Sequence, residues 1–234
     1  SVALTYSFLK QYYDALDFYI PNRYREGYGI SKQGIDYATE KGQSLIIALD
    51  CGIKAIEQVN YAKQKNIDFI ICDHHTPDEQ VPDAAAVLDP KRSGCEYPYK
   101  DLSGCGVGFK FMQAFSNRNN FPFENLAEYL DLLAVSIAAD IVPITGENRI
   151  LAHFGLKQLN ENPGTGLKAL INISHAAGKQ INITDCVFKI GPRINAAGRI
   201  KSAKQAVRLL IEDDFFRAES MAKEIEKANS TRKD

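Results

Sequence analysis

The sequence has almost no net charge, which limits how the chain can attract a partner. Its 28 Lys and Arg residues are balanced by 29 Asp and Glu residues, so the formal net charge is -1. A chain with this balance has no general basic field that would draw in nucleic acid. Any binding of phosphate must therefore depend on a local arrangement of side chains.

The chain also lacks the segments that would direct it to a membrane or out of the cell. No run reaches the ~18 consecutive apolar residues of a membrane span, and the first residues do not form a signal peptide. The five cysteines are irregularly spaced and include no CxxC pair, which argues against structural zinc. We therefore predict a cytoplasmic protein with reduced thiols and no membrane partner.

Alternating strand and helix patterns indicate the fold class. Hydrophobic residues make up 45% of the 234 residues, enough for one large domain. Short apolar runs predict strands at 17–20, 45–49, 67–71 and 85–88. Helical patterns are found at 32–41, 107–116, 124–139, 149–159, 166–171, 203–211 and 215–228. The pattern predicts an α/β fold with a parallel sheet of about five strands, flanked by helices and followed by a mostly helical C-terminal part.

Polar side chains follow the apolar runs where a parallel sheet would end. Asp50 follows the strand pattern at 45–49, and Asp73, His74 and His75 follow the one at 67–71. A third acidic candidate, Asp140, ends the nearly all-apolar run 130–139, where an unpaired carboxylate would be costly to bury. Ligands of open parallel sheets bind beyond the carboxyl ends of the strands, which makes these residues candidates for function. Carboxylates and imidazoles suit Mn²⁺ or Mg²⁺, and a pair of such ions can activate water against a phosphoester. Asp50, His74 and Asp140 are the candidate ligands.

Each of these residues also has a simpler explanation when it is taken alone. Asp50 and Asp73 could cap the segments that follow them, because Asp is a common N-cap residue. His74 and His75 could be exposed loop residues. The metal hypothesis therefore depends on their combination.

The combination resembles a known enzyme family. Asp73-His74-His75 after a strand, Asp50-Cys51-Gly52 one βα unit earlier and the later segment 139–143 are similar to motifs of the DHH phosphoesterases. Within that family, segments 20–29 and 191–199 resemble the RecJ exonucleases. The resemblance extends over nearly the whole chain and implies the DHH phosphoesterase fold.

The resemblance also implies an activity and its cofactors. It implies a metal-dependent phosphodiesterase that degrades single-stranded DNA from 5′ to 3′ in recombination and repair, with two divalent cations, Mn²⁺ or Mg²⁺. Single-stranded DNA would be the partner, together with other DNA-repair proteins. Two alternatives stay open: a DHH oligoribonuclease or nucleotide phosphatase, and a non-catalytic module that binds nucleic acid.

Roles for individual residues follow from the resemblance. Asp50 would bridge two metals, His74 and Asp140 would ligate one of them, and His75 would face the scissile phosphate. Asp73 would orient a ligand by a hydrogen bond, with a loop cap as an equal alternative.

Two further groups of residues are predicted to contact nucleic acid. One group lies in a glycine-containing segment and consists of Arg193, Asn195 and Arg199. Its guanidinium groups could bind phosphate oxygens through two hydrogen bonds each. Arg23 and Tyr28 lie in a polar loop that could hold phosphate or a stacked base. A helix-connecting turn with solvated arginines and a solvated loop are the respective alternatives.

The resemblance includes one departure from the family pattern. The family has an earlier motif with acidic metal ligands, expected immediately before Ser1, and this chain does not contain it. We therefore expect the chain to bind one metal or none, and its inactivity is an open alternative. The expected organisation is an N-terminally truncated DHH domain at 1–198 and a helical connector at 199–234 toward a C-terminal nucleic-acid-binding domain.

Overall fold

A three-stranded parallel sheet organises the first half of the chain. The computed structural model describes residues 1–174, 178–197 and 203–231. In these residues β1 (Leu45–Leu49), β2 (Asp68–Cys72) and β3 (Ala86–Leu88) lie side by side in that order. Leu49 pairs with Cys72, and Cys72 pairs with Leu88. The carboxyl ends of the three strands therefore meet at one edge of the sheet.

The predicted α/β class and parallel sheet are confirmed, but the sheet is smaller than expected. The described residues contain three strands instead of about five. Residues 17–20 form no strand. Asp17 instead accepts hydrogen bonds from its neighbour Phe18 N–H at 2.8 Å and from the Tyr37 hydroxyl at 2.5 Å. This short segment is thus held by side-chain contacts and not by a ladder of backbone hydrogen bonds.

Helices form the rest of the described chain. They are α1 (Val2–Lys10), α2 (Lys32–Glu40), α3 (Ile56–Lys63), α4 (Gly104–Arg118), α5 (Glu124–Ala127), α6 (Leu130–Asp140), α7 (Gly146–Glu161), α8 (Thr165–Ile173), α9 (Ile183–Asp185), α10 (Gly191–Ala197), α11 (Ala203–Leu210) and α12 (Phe215–Thr231). A π-helical segment at Cys186–Ile190 joins α9 to α10. The helix predicted at 124–139 is divided into α5 and α6. No helix within the described ranges is both long and apolar enough to cross a membrane.

Several apolar clusters hold the sheet and the helices together. Buried residues of the sheet, including Phe69 and Ile71, pack against Ile35 of α2 and Val59 of α3. A second cluster is built from helices and extends from Val135 of α6 into α12. The last two helices therefore share a core with the domain body. The boundary predicted between 198 and 199 stays a prediction.

Helix α6 ends in a backbone conformation that is strained for its residue. Ile141 follows Asp140 with φ 55° and ψ 33°, in the left-handed region. A β-branched side chain there costs about 1–2 kcal/mol. The Ile141 side chain is 80% exposed, so burial does not offset the strain.

Replacing Ile141 by Gly is therefore expected to stabilise the fold. The relief of strain exceeds the extra backbone entropy that glycine gains on unfolding, so the net gain should be about 0.5–1 kcal/mol. Urea denaturation would measure the change in the free energy of unfolding. The control is Ile150→Gly, at a 57% exposed position inside α7, where the same exchange should cost about 1 kcal/mol. A loss of stability in both variants would contradict the strain at Ile141.

Candidate metal centre

Three predicted ligands converge beyond the carboxyl edge of the sheet. Asp50 follows β1, His74 comes after β2, and Asp140 is the last residue of α6. The Nε2 atom of His74 lies 3.3 Å from Asp50 Oδ1 and 3.3 Å from Asp140 Oδ2. Two carboxylates and one imidazole thus meet at a single point, as the sequence predicts.

The arrangement fits a divalent cation. With metal–ligand bonds of about 2.1 Å, neighbouring ligand atoms lie about 3 Å apart, close to the 3.3 Å that separates His74 Nε2 from each of the two carboxylate oxygens. Oxygen and imidazole donors suit Mn²⁺ and Mg²⁺. Donor atoms of Asp50, His74 and His75 also lie within 4.8 Å of one another. These side chains could therefore hold a metal.

The ring of His74 is oriented by a backbone carbonyl. Its Nδ1 lies 3.0 Å from the carbonyl oxygen of Leu102. Because a carbonyl only accepts hydrogen bonds, Nδ1 must carry the hydrogen, which leaves the Nε2 lone pair of the neutral ring toward the carboxylates. This is how a metal-binding histidine is usually held.

Asp73 orients the other histidine of the motif. Its Oδ1 lies 2.6 Å from His75 Nδ1 and accepts the backbone N–H of His74, while its Oδ2 accepts the N–H of Ile53 at 2.9 Å. Burial alone would raise the pKa of Asp73, but these hydrogen bonds lower it below its usual value. Asp73 thus caps the loop and also positions an imidazole. That imidazole belongs to His75, whereas the Leu102 carbonyl orients the predicted ligand His74.

The charges at the centre are strongly coupled. Burial lowers the pKa of His74, but the carboxylates of Asp50 and Asp140 outweigh burial and raise it. Burial raises the pKa of Asp140, and the nearby charge of Asp50 adds to the increase. Two carboxylates that face each other across one imidazole are stabilised by a positive charge between them. A bound cation would supply that charge.

The first residue of α4 brings the helix into contact with both acids. A Cβ atom on Gly104 would lie 1.8 Å from Asp50 Oδ1, and the Gly104 N–H hydrogen bonds to Asp140. Ser103 caps the helix by accepting the Gly106 N–H at 3.0 Å. The positive end of the helix dipole therefore lies beside two carboxylates. The pattern at 107–116 predicts this helix, but it does not reveal the contact between Gly104 and Asp50.

A cleft lined by β1 reaches one of the three converging ligands, Asp50. Its volume is about 1070 Å³, and its walls include four of the predicted site residues: Arg23, Tyr28, Asp50 and Asn195. The Arg23 guanidinium lies 5.5 Å from the centre of the Tyr28 ring, and Tyr28 is 72% exposed. A cation and an exposed aromatic ring thus face the same space as a candidate metal ligand.

Glu26 fixes the loop that carries Arg23 and Tyr28. Its carboxylate accepts hydrogen bonds from the Ser31 hydroxyl at 2.6 Å, the Asn22 N–H at 2.8 Å and the Tyr19 hydroxyl at 2.9 Å. These bonds join both ends of the loop to one side chain. Glu26 is therefore a structural anchor of the cleft.

A family model places the chain among known proteins. The model of the DHH family, N-terminal domain, matches residues 1–137. The chain belongs to the DHH family. Asp50 and the motif Asp73-His74-His75, whose one-letter code is the name of the family, lie within the matched residues, and Asp140 lies three residues beyond them.

Individual relatives strengthen this likeness. The chain is 43% identical over 217 residues to the single-stranded-DNA-specific exonuclease RecJ of Bacillus subtilis (strain 168), covering 93% of this chain and 27% of the relative. A crystal structure of exonuclease RecJ bound to manganese superposes with a TM-score of 0.89 at 31% identity, covering 99% of this chain and 58% of that one. A crystal structure of RecJ in complex with Mn²⁺ from Thermus thermophilus gives a TM-score of 0.84 at 28% identity, covering 99% of this chain and 33% of that one.

These values confirm the predicted resemblance to RecJ exonucleases. The chain spans less than half of the length of the first three curated relatives, between 27% and 40%. The activity, substrates and partners of those proteins are therefore proposals for this chain.

Arg193 is engaged differently from the prediction. Segment 191–197 is helical and not an open turn. The Arg193 guanidinium lies 2.6 Å from Glu226 Oε2 and donates to Glu226 Oε1 at 2.8 Å and to the Lys189 carbonyl at 2.6 Å. Arg193 is 7% exposed. Phosphate binding by Arg193 stays a prediction and would require this ion pair to open. Arg199 lies outside the described residues.

Proposed function

We propose that this chain is the metal-binding phosphodiesterase part of a 5′-to-3′ exonuclease specific for single-stranded DNA. The observation that carries the proposal is the convergence of Asp50, His74 and Asp140 on one point at the carboxyl edge of the sheet. The similarity to RecJ proteins over nearly the whole chain supports the choice of substrate.

The protein groups have distinct tasks in this proposal. Asp50, His74 and Asp140 hold Mn²⁺ or Mg²⁺, which supply activation of water and stabilisation of phosphoryl charge when bound. His75 has its Nδ1 engaged by Asp73, so its Nε2 is the ring nitrogen left to face the phosphate.

The cleft beside the metal centre suits a single strand. Unpaired bases expose faces that stack on aromatic rings, and arginine can contact both a base and the backbone. Tyr28 and Arg23 offer these groups close to Asp50, and Asn195 lines the same cleft. A duplex would keep its bases stacked on one another, so it could not use Tyr28 in this way.

Single-stranded oligonucleotides labelled at either end test the activity. With Mn²⁺ present we expect stepwise release from the 5′ end of a single strand, no reaction on the matching duplex, and no reaction with a chelator. A length series separates this activity from that of an oligoribonuclease or nucleotide phosphatase, which would prefer the shortest substrates. A chain that binds DNA but neither cleaves it nor binds Mn²⁺ would favour the non-catalytic module and contradict the proposal.

Tyr28→Ala is expected to weaken the binding of single-stranded DNA by about tenfold. Stacking of a base on an aromatic ring contributes about 1–3 kcal/mol, and Tyr28→Phe should retain most of it. Fluorescence anisotropy with a labelled oligonucleotide measures the affinity. The matched control is Tyr24→Ala, because Tyr24 is 76% exposed in the same loop but does not line the cleft. Equal losses in the Tyr24 and Tyr28 variants would reject a stacking role for Tyr28.

The location, the partners and the domain organisation of the protein are proposed on the basis of the same similarity. We propose a cytoplasmic location, in keeping with five free cysteines, and association with other DNA-repair proteins. We also keep the proposed division into a DHH domain at 1–198 and a connector at 199–234.

A further inference from the structure

We propose that Asn148 is a positioning residue of the metal centre. Its side chain joins two backbone segments, one of which orients His74 while the other follows Asp140. This inference rests on the proposed function, because it assigns Asn148 to the alignment of the same metal ligands.

The side-chain amide of Asn148 reaches both segments at once. Asn148 lies in the first turn of α7 and is fully buried, at 0% exposure. Its Nδ2 donates to the carbonyl of Asp101 at 2.6 Å and to the carbonyl of Pro143 at 3.0 Å. Both hydrogens of one planar NH₂ group are therefore used, and they set the spacing between the two carbonyls.

Each of these carbonyls lies close in sequence to a group of the metal centre. Asp101 immediately precedes Leu102, whose carbonyl holds His74 Nδ1. Pro143 lies three residues after Asp140, whose carboxylate faces His74 Nε2 at 3.3 Å. A change in the spacing of the two segments would rotate His74 and displace Asp140 from it. Asn148 acts through these segments and is not among the groups whose donor atoms meet at the centre.

The donors of Asn148 matter more than its acceptor. Its Oδ1 has no hydrogen-bond partner among the described residues, although a buried polar atom normally has one. A carboxylate or an apolar side chain of the same shape would lose both donated bonds. The Pro143 segment also has a second attachment, because the Tyr99 hydroxyl lies 3.2 Å from the same carbonyl. Loss of the amide should therefore change alignment before it unfolds the loop.

The test compares Asn148 with a second asparagine of the same helix. Asn160 lies at the other end of α7, where its Nδ2 donates to the carbonyls of Leu156 at 2.7 Å and Ile181 at 2.9 Å. Its NH₂ group thus also joins two carbonyls, neither of which leads to the metal centre, although Asn160 is exposed and its Oδ1 additionally accepts the Ile181 N–H at 2.7 Å. The variants are Asn148→Ala, Asn148→Asp and Asn160→Ala, each first checked for folding by circular dichroism and urea denaturation.

Two measurements on these variants decide the inference. Calorimetric titration with Mn²⁺ should show affinity weakened about tenfold in both Asn148 variants, as for other groups that orient metal ligands, and unchanged in Asn160→Ala. The ring nitrogen NMR shifts of His74 in the metal-free protein should change in the Asn148 variants only. Unchanged His74 shifts in the Asn148 variants, or equal effects in Asn160→Ala, would overturn the inference. Absence of Mn²⁺ binding in the unsubstituted chain would instead reject the proposed function, and the NMR comparison would still decide the role of Asn148.

Discussion

Asp50→Asn is expected to abolish measurable Mn²⁺ binding by this chain. Asp50 supplies one of the three atoms that converge at the centre, and an amide is a far weaker ligand for a hard cation than a carboxylate. Groups that only orient a ligand contribute about 10–100-fold to metal affinity, so loss of a ligand should cost about 100-fold or more. Calorimetric titration with Mn²⁺ measures the change, and cleavage of single-stranded DNA should disappear with it.

The choice of substituent at Asp50 matters because of its backbone. Asp50 has φ 63°, in the left-handed region that asparagine tolerates and alanine adopts at a cost of about 1–2 kcal/mol. Asp50→Ala should abolish binding as well, but part of its effect would come from strain. Asp78→Asn is the control, since Asp78 is an exposed acid paired with Lys54 at 2.7 Å. Unchanged Mn²⁺ affinity in Asp50→Asn would remove Asp50 from the ligand set.

Gly104→Ala is expected to weaken Mn²⁺ binding about 100-fold although it replaces none of the candidate ligands. The added Cβ would lie 1.8 Å from Oδ1, 2.4 Å from Cγ and 2.8 Å from Cβ of Asp50. Rotation of the Asp50 side chain could relieve the first two contacts, but the third requires a backbone shift. The carboxylate therefore has to leave its position beside His74. The effect should reach the upper end of the ~10–100-fold range known for residues that orient ligands.

A second glycine of the same helix provides the control for this prediction. A Cβ on Gly106 would meet nothing closer than 3.3 Å, a distance that small shifts of neighbouring side chains can accommodate. Gly106→Ala should keep its metal affinity and gain up to about 1 kcal/mol in stability, because alanine favours the helix. Circular dichroism would confirm that both variants fold. If Gly104→Ala binds Mn²⁺ as tightly as the unsubstituted chain, the close approach of α4 to Asp50 is wrong.

Much of the candidate centre could be predicted because local sequence patterns determined it. The run Leu45–Leu49 is apolar and rich in strand-forming residues, so its end marks the position of Asp50. The same holds for β2 and the three motif residues that follow it. Parallel strands share the edge at which they end, which brings these residues together without further information. Asp140 is a candidate because a carboxylate at the end of an apolar helix requires a partner.

Other features depend on contacts between segments far apart in the chain. Every residue carries a backbone carbonyl, so the identity of residue 102 gives no indication that its carbonyl orients His74. Arg193 has the chemistry of a phosphate ligand, yet packing of α12 against α10 places Glu226 beside it. Burial favours such pairing because an isolated charge in the interior is costly.

The sequence by itself determined the fold class, the parallel sheet and the positions of Asp50 and His74 at its carboxyl edge, whereas packing of α6 brings Asp140 to them. The periodicity of apolar residues, strand propensity and strand direction are local or nearly local properties of the chain. This explains why these predictions succeeded. Only the tertiary structure decided the number of strands in the described residues and the ion pair between Arg193 and Glu226. It also decided which groups lie against the candidate ligands or their segments: the Leu102 carbonyl, Gly104 and Asn148. Those features arise from distances of closest approach between separate segments, and such distances exist only after the chain has packed.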